Sequence, residues 1–229
     1  MTTVTVIIPA LNEAGNIRQL VEDVCATAPV EVIVVDNGST DSTAQEAGEA
    51  GAKVVSEPRR GYGYACAGGV AEAGQAEVLV FLDGDYSFAP SDLPSLLTPI
   101  NENRADLVLG SRELGQMEPG AMLPQQRFGN WLVSRLMNIL YKLSITDLGP
   151  YRAVRRQLVL ELKMQEMTYG WPTEMIVKAK QHGARIVEVP VSYRSRRHGQ
   201  SKVSGTVRGT LLAGWHILKV TFRHAWKTL

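Results

Sequence analysis

Two acidic residues with one glycine between them, Asp83 and Asp85, follow an apolar run that predicts a buried strand over Glu77–Asp85. Hard divalent cations prefer oxygen ligands, and Mg²⁺ typically uses one or two carboxylates together with substrate phosphates. This pair at a strand end therefore suits a divalent ion that also holds a diphosphate. The alternative is an ordinary Asp-Gly turn after a strand.

A second polar cluster, Asp36-Asn37-Gly38-Ser39-Thr40, also ends an apolar strand. An acidic residue at such a position can accept hydrogen bonds from a ribose or a base. The cluster could instead form a helix N-cap. Because Asp41, Ser42 or Thr40 could provide that cap, the pattern favours a binding role for Asp36.

The glycine-rich segment Arg59–Gly69 contains Gly61-x-Gly63, but Cys66 stands where a dinucleotide-binding fingerprint needs a third glycine. It can still be a loop that approaches phosphates closely, with Arg59 or Arg60 beside the charge. An ordinary flexible connection is the alternative.

Charge is distributed unevenly along the 229 residues. No Asp or Glu follows Glu188, whereas eight Lys and Arg residues do, which leaves 16 basic and 23 acidic residues, or −7, in the first 188. A basic end on an acidic body suggests an anionic partner, such as phosphate, nucleic acid or a membrane surface. The segment lacks a recognised nucleic-acid motif, and a solvated basic loop over Arg194–Lys202 is the remaining alternative.

The first half must position these clusters, and it alternates strand and helix signals, as βαβ units of a parallel sheet do. Polar clusters after such strands meet at the carboxyl edge of the sheet, where α/β folds bind ligands. The predicted strands are Val4–Ala10, Val30–Thr40, Ala52–Glu57 and Glu77–Asp85, and the helices follow Asn12 and span Ser42–Gly51 and Ala65–Ala73.

The second half is less regular and contains no clear linker, so we expect one α/β domain over residues 1–205. Its predicted elements are a strand over Asp106–Arg112, a loop over Leu114–Gln126, helices over Arg127–Leu143, Arg155–Met164 and Glu174–His182, and a strand over Ala184–Arg194. Two cysteines exclude a disulfide scaffold, and neither a signal peptide nor a conventional membrane span is expected.

Residues 206–229 predict an amphipathic basic helix, part of the same unit or membrane-associated. Its apolar residues recur every three or four positions, at Leu211, Trp215, Leu218, Phe222 and Trp226. A basic stripe lies beside them, at His216, Lys219, Arg223 and Lys227. This pattern suits a helix in a membrane interface. Packing on the protein's own core or in a dimer contact is the alternative.

Several motifs in register carry a family resemblance. PALNEAGNI, VVDNGSTDST, FLDGD and GSR resemble the family 2 inverting glycosyltransferases, which have the GT-A fold. DLGPYRAVRR and YGWPTEMIVKAKQHGARIVEVPVSYRSRRHGQSKVSG look like the dolichyl-phosphate mannosyltransferase and polyprenyl-phosphate glucosyltransferase branch. The resemblance covers about Val4–Gly209 and implies a mostly parallel, Rossmann-related sheet flanked by helices.

The resemblance also implies roles for individual residues. Nucleotide-sugar binding falls to Pro9, Ala10, Asn12, Glu13, Asp36, Gly61, Asp83 and Gly84. Asp83 and Asp85 would be the metal ligands, for Mg²⁺ or Mn²⁺. The catalytic candidates are Asp85, Asp147 and Glu174, and the acceptor-phosphate ligands are Arg112, Arg127, Arg196 and Lys202. Ser87 stands where the family often has Gln, and Trp131 and Pro150 depart from the residues common in the branch.

The function implied is inverting transfer of glucose or mannose from a UDP- or GDP-linked donor to a polyprenyl or dolichyl phosphate. The partners would be this donor and acceptor, with peripheral contact at the cytoplasmic face of a membrane, no nucleic acid, and possible homo-oligomers. Two alternatives stay open: a family 2 enzyme that acts on a soluble or glycolipid hydroxyl, and a sugar-nucleotide-binding protein without catalysis.

Overall fold

The computed structural model describes residues 2–199 and 207–225 of the chain. Their strands form one seven-stranded sheet in the order β3-β2-β1-β4-β6-β5-β7. The strands are β1 (Val4–Ala10), β2 (Glu31–Asp36), β3 (Lys53–Ser56), β4 (Val78–Phe81), β5 (Leu107–Ser111), β6 (Arg152–Arg155) and β7 (Ile186–Pro190).

The described helices are α1 (Ala14–Thr27), α2 (Thr43–Glu49), α3 (Tyr62–Glu72), α4 (Leu93–Asn101), α5 (Pro124–Tyr141), α6 (Arg156–Leu162), α7 (Trp171–Gln181) and α8 (Val207–Ala225). They cover both faces of the sheet. One core cluster joins the sheet to α3, α5, α6 and α7, and the other joins it to α1, α2 and α4. Neighbouring residues of β1 alternate between the two, with Ile7 in the first and Val6 and Ile8 in the second, as the two-residue period of a strand requires.

The mostly parallel sheet expected from the alternating pattern is confirmed. Strands β1, β2, β3 and β4 are joined by parallel pairings, as are β5 and β7. The exception is β6, which lies antiparallel between β4 and β5. No strand was predicted at Arg152–Arg155, because four residues beside a charged helix start are too few to show a strand period.

Three other elements differ from their predicted bounds. Helix α3 begins at Tyr62, so most of the segment interpreted as a loop is helical. Helix α5 begins at Pro124, within the predicted loop, and proline is well suited to a first helical position. No element was predicted at α4, whose Leu96, Leu97 and Ile100 are buried against the sheet.

Helix α8 contacts α5 and α7. The Tyr141 hydroxyl of α5 donates to the backbone carbonyl of Thr221, and Val220 and Thr221 are buried. Among the described residues, no helix is both long and apolar enough to cross a membrane.

Candidate active site

The carboxyl ends of β1, β2 and β4 meet at one edge of the sheet. Ala10 pairs with Asp36 in the parallel register of β1 and β2, and the Asp83–Asp85 turn follows β4 directly beside β1. Gly84 lies against this strand end, since a Cβ there would stand 3.2 Å from the carbonyl oxygen of Pro9. The fold therefore brings together the strand-end clusters that the sequence singled out.

Asn12 joins the loop after β1 to the loop after β2. Its backbone N–H donates to Ser39 Oγ at 2.9 Å, and its side-chain oxygen accepts from the Thr40 N–H at 2.8 Å. Asp36 braces the same loop by accepting from the Ser39 N–H at 3.1 Å. The two loops thus form one hydrogen-bonded rim at the sheet edge.

Asn37 is a structural contributor that the sequence analysis did not assign. Its buried side chain donates to the carbonyls of Glu57 and Arg59 at 2.9 and 2.7 Å, and accepts from the Gly61 N–H at 2.9 Å. It therefore sets the position of the glycine-rich segment relative to β2. The sequence feature that could have indicated this role is the position of Asn37 in the Asp36–Thr40 cluster at the end of a strand.

Gly61 begins this segment with φ 148°, a conformation that favours glycine. A Cβ at Gly61 would lie 2.4 Å from the Met167 carbonyl oxygen, and one at Gly63 would lie 2.5 Å from that of Glu166. The glycines thus allow residues 166–167 to lie against the start of α3. Gly61, which the resemblance assigns to nucleotide-sugar binding, thus lies against the backbone of Met167.

Asp83 is half-buried at this edge of the sheet. Its Oδ1 is buried and has no hydrogen-bond partner among the described residues. Burial and the neighbouring charge of Asp85 raise the pKa of Asp83 to about 7, and Tyr62, Arg112 and Arg196 only partly offset this. Two close carboxylates, one of which has a buried oxygen without a hydrogen-bond partner among the described residues, are electrostatically suited to a cation.

Asp85 is oriented by Ser87 and Arg196. Its Oδ1 accepts from the Ser87 N–H and hydroxyl at 3.0 and 2.6 Å, and its Oδ2 accepts from Arg196 Nη2 at 2.9 Å. Arg196 Nη1 also donates to Glu13 Oε1 at 2.6 Å. The described part of the chain holds no group of three or more His, Cys, Asp or Glu side chains that could bind a metal.

The basic segment after β7 reaches this edge by crossing the strand ends. The Val191 N–H donates to the Ser111 carbonyl, and the Arg194 N–H donates to the Ser87 carbonyl at 2.8 Å. Further on, Arg197 stacks over the Tyr86 ring at 4.1 Å. Of the described Arg and Lys residues in this segment, Arg196 is the one bonded to both Glu13 and Asp85.

Arg112 and Asp147 form a buried ion pair beside β5. The Arg112 backbone N–H and Nε donate to Asp147 Oδ2 at 2.7 and 2.8 Å, and Nη2 donates to Oδ1 at 2.6 Å. Burial alone would raise the pKa of Asp147, but Arg112 and backbone donors hold it below its usual range. Asp147 thus has its charge matched, and it fixes the orientation of Arg112.

Glu174 is buried near the start of α7 and already has several partners. Its Oε2 accepts from the backbone N–H groups of Gln165 and Glu166 at 2.9 and 2.7 Å. Its Oε1 pairs with Lys178 Nζ at 2.8 Å. These bonds hold the segment that lies against Gly61 and Gly63, so Glu174 acts on the site through that segment.

Arg127 lies on α5, where its Nη2 donates to Glu113 Oε2 at 3.0 Å and its side chain is largely exposed. Both residues line a groove of about 640 Å³ between α5 and Thr146, next to Asp147. Lys202, the fourth expected phosphate ligand, lies outside the described residues. The structure therefore brings Glu13, Asp85 and Arg196 into contact and places Arg112 and Arg127 in separate ion pairs.

The comparisons with known proteins identify the family of the chain. Residues 5–162 match the family described as Glycosyl transferase family 2. The chain belongs to glycosyltransferase family 2. It is 38% identical over 211 residues to an uncharacterized glycosyltransferase of Mycobacterium tuberculosis, over 92% of this chain and 94% of that one.

Two further relatives are informative. The undecaprenyl-phosphate mannosyltransferase of Micrococcus luteus is 31% identical over 224 residues, covering 90% of this chain and 89% of that one. Glucosyl-3-phosphoglycerate synthase of Mycobacterium tuberculosis, solved with Mn²⁺, UDP and glucosyl-3-phosphoglycerate, has a TM-score of 0.79 at 22% identity. That match covers 98% of this chain and 80% of the synthase, and shows the shared fold of this family 2 glycosyltransferase.

Proposed function

We propose that this family 2 glycosyltransferase transfers a hexose from a nucleoside diphosphate sugar to a polyprenyl phosphate, with inversion at the anomeric carbon. The observation that carries the proposal is the contact of Arg196 with Glu13 and Asp85, beside the buried Oδ1 atom of Asp83. It places cationic and anionic groups together at the edge of the sheet where α/β folds bind ligands.

The donor would lie along the ends of β1, β2 and β4. The loop joined by Asn12 and Asp36 would hold the nucleoside, with Pro9, Ala10 and Gly84 forming the floor beneath it. Asp83 and Asp85 would hold Mg²⁺ or Mn²⁺, since the unsatisfied Oδ1 of Asp83 and the carboxylate donors fit a hard cation. When bound, the ion supplies positive charge against the leaving diphosphate.

A phosphate monoester acceptor is mostly a dianion at neutral pH, because its second pKa is about 6. It can attack without a general base. One of its oxygens forms the new bond to the anomeric carbon as the bond to the diphosphate breaks, and the nucleoside diphosphate leaves with that electron pair. The protein must hold two anions together, and the proposed cations are Arg112, Arg127, Arg196 and Lys202.

This chemistry gives Asp147 and Glu174 positioning roles. Asp147 would aim the Arg112 guanidinium at the acceptor phosphate, and Glu174 would fix the segment beside Gly61. Neither needs to remove a proton. Asp85 would remain the acidic residue closest to the reaction, as a metal ligand.

A lipid acceptor also implies peripheral contact with the cytoplasmic face of a membrane. The curated relative from Micrococcus luteus is named for undecaprenyl phosphate, which supports a lipid acceptor here. The exposed Trp215, Phe222, Lys219 and Arg223 of α8 support the interfacial tail helix proposed from the sequence.

A panel of nucleotide sugars tests the proposal directly. UDP-glucose, GDP-mannose and related donors are each incubated with a short-chain polyprenyl phosphate, the dephosphorylated polyprenol and a soluble phosphorylated acceptor, and products are detected by mass. We expect transfer from one donor to the polyprenyl phosphate. Equal transfer to the polyprenol, or transfer only to the soluble acceptor, would contradict the proposed acceptor.

A further inference from the structure

Helix α5 carries a stripe of exposed apolar and basic side chains, which we call the α5 stripe. Its members recur every three or four residues along one side of the helix: Phe128, Trp131, Leu132, Arg135, Ile139 and Lys142 at the C-cap. Phe128, Trp131 and Ile139 are 62%, 56% and 70% exposed. The opposite side of α5 is buried in the core through Val133, Met137 and Tyr141. The stripe is therefore an outward face rather than part of the core.

Helix α8 presents a similar face next to α5. Trp215 and Phe222 are 65% and 47% exposed, and Lys219 and Arg223 are exposed beside them. The other side of α8 is anchored through Val220 and through Thr221, which accepts the hydrogen bond from Tyr141 of α5. Two helices in contact thus each turn aromatic and basic side chains outward.

The charged side chains of α5 and α8 are all basic. Residues 119–146 contain Arg127, Arg135 and Lys142 but no Asp or Glu, and α8 also lacks acidic residues. The first 188 residues as a whole carry a net charge of −7. Arg135, Lys142, Lys219 and Arg223 are exposed beside the tryptophan and phenylalanine side chains. This combination is complementary to an anionic lipid surface, where aromatic rings lie at the headgroup level.

We propose that the α5 stripe is a membrane-docking surface that binds anionic phospholipid bilayers, with the exposed face of α8 extending it. The choice of a lipid surface over another protein rests in part on the proposed function, because the acceptor would be a lipid. The groove lined by Arg127 and Glu113 runs along α5. Phe128, Trp131 and Arg135 of the stripe also line this groove, so docking through the stripe would bring the groove to the bilayer, where a polyprenyl phosphate resides.

Sedimentation of the full chain with vesicles tests the surface. The vesicles contain either phosphatidylcholine alone or phosphatidylcholine with phosphatidylglycerol, and they lack any glycosyl acceptor. We expect binding to the anionic vesicles that weakens as salt rises. The double variant Trp131→Gln/Ile139→Gln should bind at least tenfold more weakly, and Arg135→Gln about fivefold more weakly, since each cation near an anionic leaflet contributes on the order of 1 kcal/mol.

Matched controls come from other exposed positions of the same chain. Leu160→Gln removes an exposed apolar side chain from α6, and Arg104→Gln removes an exposed cation after α4. Both should bind like the wild type. If the double variant loses its thermal unfolding transition, Arg135→Gln decides the question, because its effect should vanish at high salt.

Vesicle binding by the stripe variants equal to wild type overturns the docking surface. A second outcome also overturns it: light scattering shows a wild-type dimer, and the stripe variants are monomers with unchanged vesicle affinity. The stripe would then be the contact with a second copy of the chain. Transfer to a short-chain, water-soluble polyprenyl phosphate without vesicles is measured in parallel. Transfer without vesicle binding defeats only the docking surface, whereas stripe-dependent binding without transfer defeats only the proposed acceptor.

Discussion

Arg196 illustrates how a single residue links the two proposed substrates. The resemblance assigned it to the acceptor phosphate, and the structure places it on Glu13 and Asp85, which the same resemblance assigned to the donor and the metal. A guanidinium can form two such ion pairs at once because its donors are arranged in a planar fork. Arg196, which the resemblance assigns to the acceptor, therefore contacts residues that it assigns to the donor and the metal. Arg112 is instead held by Asp147.

The first prediction at this scale concerns Asp85. Asp85→Asn should keep the fold, because an amide oxygen can still accept from Ser87. The substitution should lower the rate of metal-dependent transfer at least about a hundredfold, because the positive charge of the metal ion opposite the leaving diphosphate would be lost. Initial rates with Mg²⁺ and Mn²⁺, together with calorimetric binding of the nucleoside diphosphate, measure this. Glu102→Gln is the control, and full activity of Asp85→Asn, or of the wild type in excess chelator, contradicts the metal site.

The second prediction separates two of the candidate phosphate ligands. Arg112→Ala should destabilise the protein by about 3–5 kcal/mol, because it leaves Asp147 buried without its partner. Arg127→Ala should leave stability nearly unchanged, because its ion pair with Glu113 is exposed on the arginine side. We expect it to raise the KM for the acceptor about tenfold or more, with little change in the KM for the donor.

Denaturant unfolding and steady-state kinetics on both variants check this contrast. Similar stabilities for the two variants would contradict the structural role of the Arg112–Asp147 pair. An unchanged acceptor KM in Arg127→Ala would remove Arg127 from the acceptor site.

At the scale of elements, the start of α3 depends on close contact with the segment before α7. The backbone of Glu166 and Met167 occupies the space where a side chain at Gly61 or Gly63 would begin, and Glu174 holds that segment in place. The glycines serve helix-to-loop packing here. The interpretation of this stretch as a phosphate loop thus stays a prediction, while its helical structure from Tyr62 onward is established.

A pair of glycine substitutions tests that packing. Gly63→Ala should destabilise the protein by about 1–3 kcal/mol, because the new methyl would overlap backbone atoms at 2.5 Å. Gly129→Ala in α5 should stabilise it by about 0.5–1 kcal/mol, because nothing lies within 4 Å of the added Cβ and alanine favours a helix. Chemical denaturation of the two variants measures both signs, and a neutral Gly63→Ala would contradict the close contact.

At the scale of the whole molecule, α8 is packed against the catalytic domain. From the sequence, residues 206–229 were expected to be part of the same unit or membrane-associated, and α8 contacts both α5 and α7. Its inner side covers the core, and its outer side carries the aromatic and basic residues. Both alternatives weighed for the tail, core packing and membrane contact, can hold for opposite sides of one helix.

Truncation after Gly205 tests this arrangement. The shortened chain should unfold at a temperature several degrees lower than the full chain, because the removal of Val220 and Thr221 exposes Tyr141 and its apolar neighbours. Differential scanning calorimetry measures the change. An unchanged unfolding temperature would show that α8 adds nothing to the stability of the domain and that residue 206 is a true boundary.

The sequence by itself determined the elements whose signals are local. The apolar runs of β1, β2 and β4, the helical period of α1 and the polar residues after each strand predicted the parallel half of the sheet and the site at its carboxyl edge. These features could be predicted because strand period, turn residues and helix period depend on neighbours within a few positions. The motifs PALNEAGNI, VVDNGSTDST and FLDGD lie on or directly after these elements, so they could be recognised in the sequence as well.

Only the tertiary structure decided the contacts between distant segments. Strand β6 is defined by its neighbours β4 and β5, and its four residues carry no period of their own. Likewise, nothing near Arg196 in the sequence indicates Glu13 or Asp85, and nothing near Arg112 indicates Asp147. Such pairings depend on how the sheet orders its strands and on which charges must be matched once they are buried, and both are properties of the assembled fold.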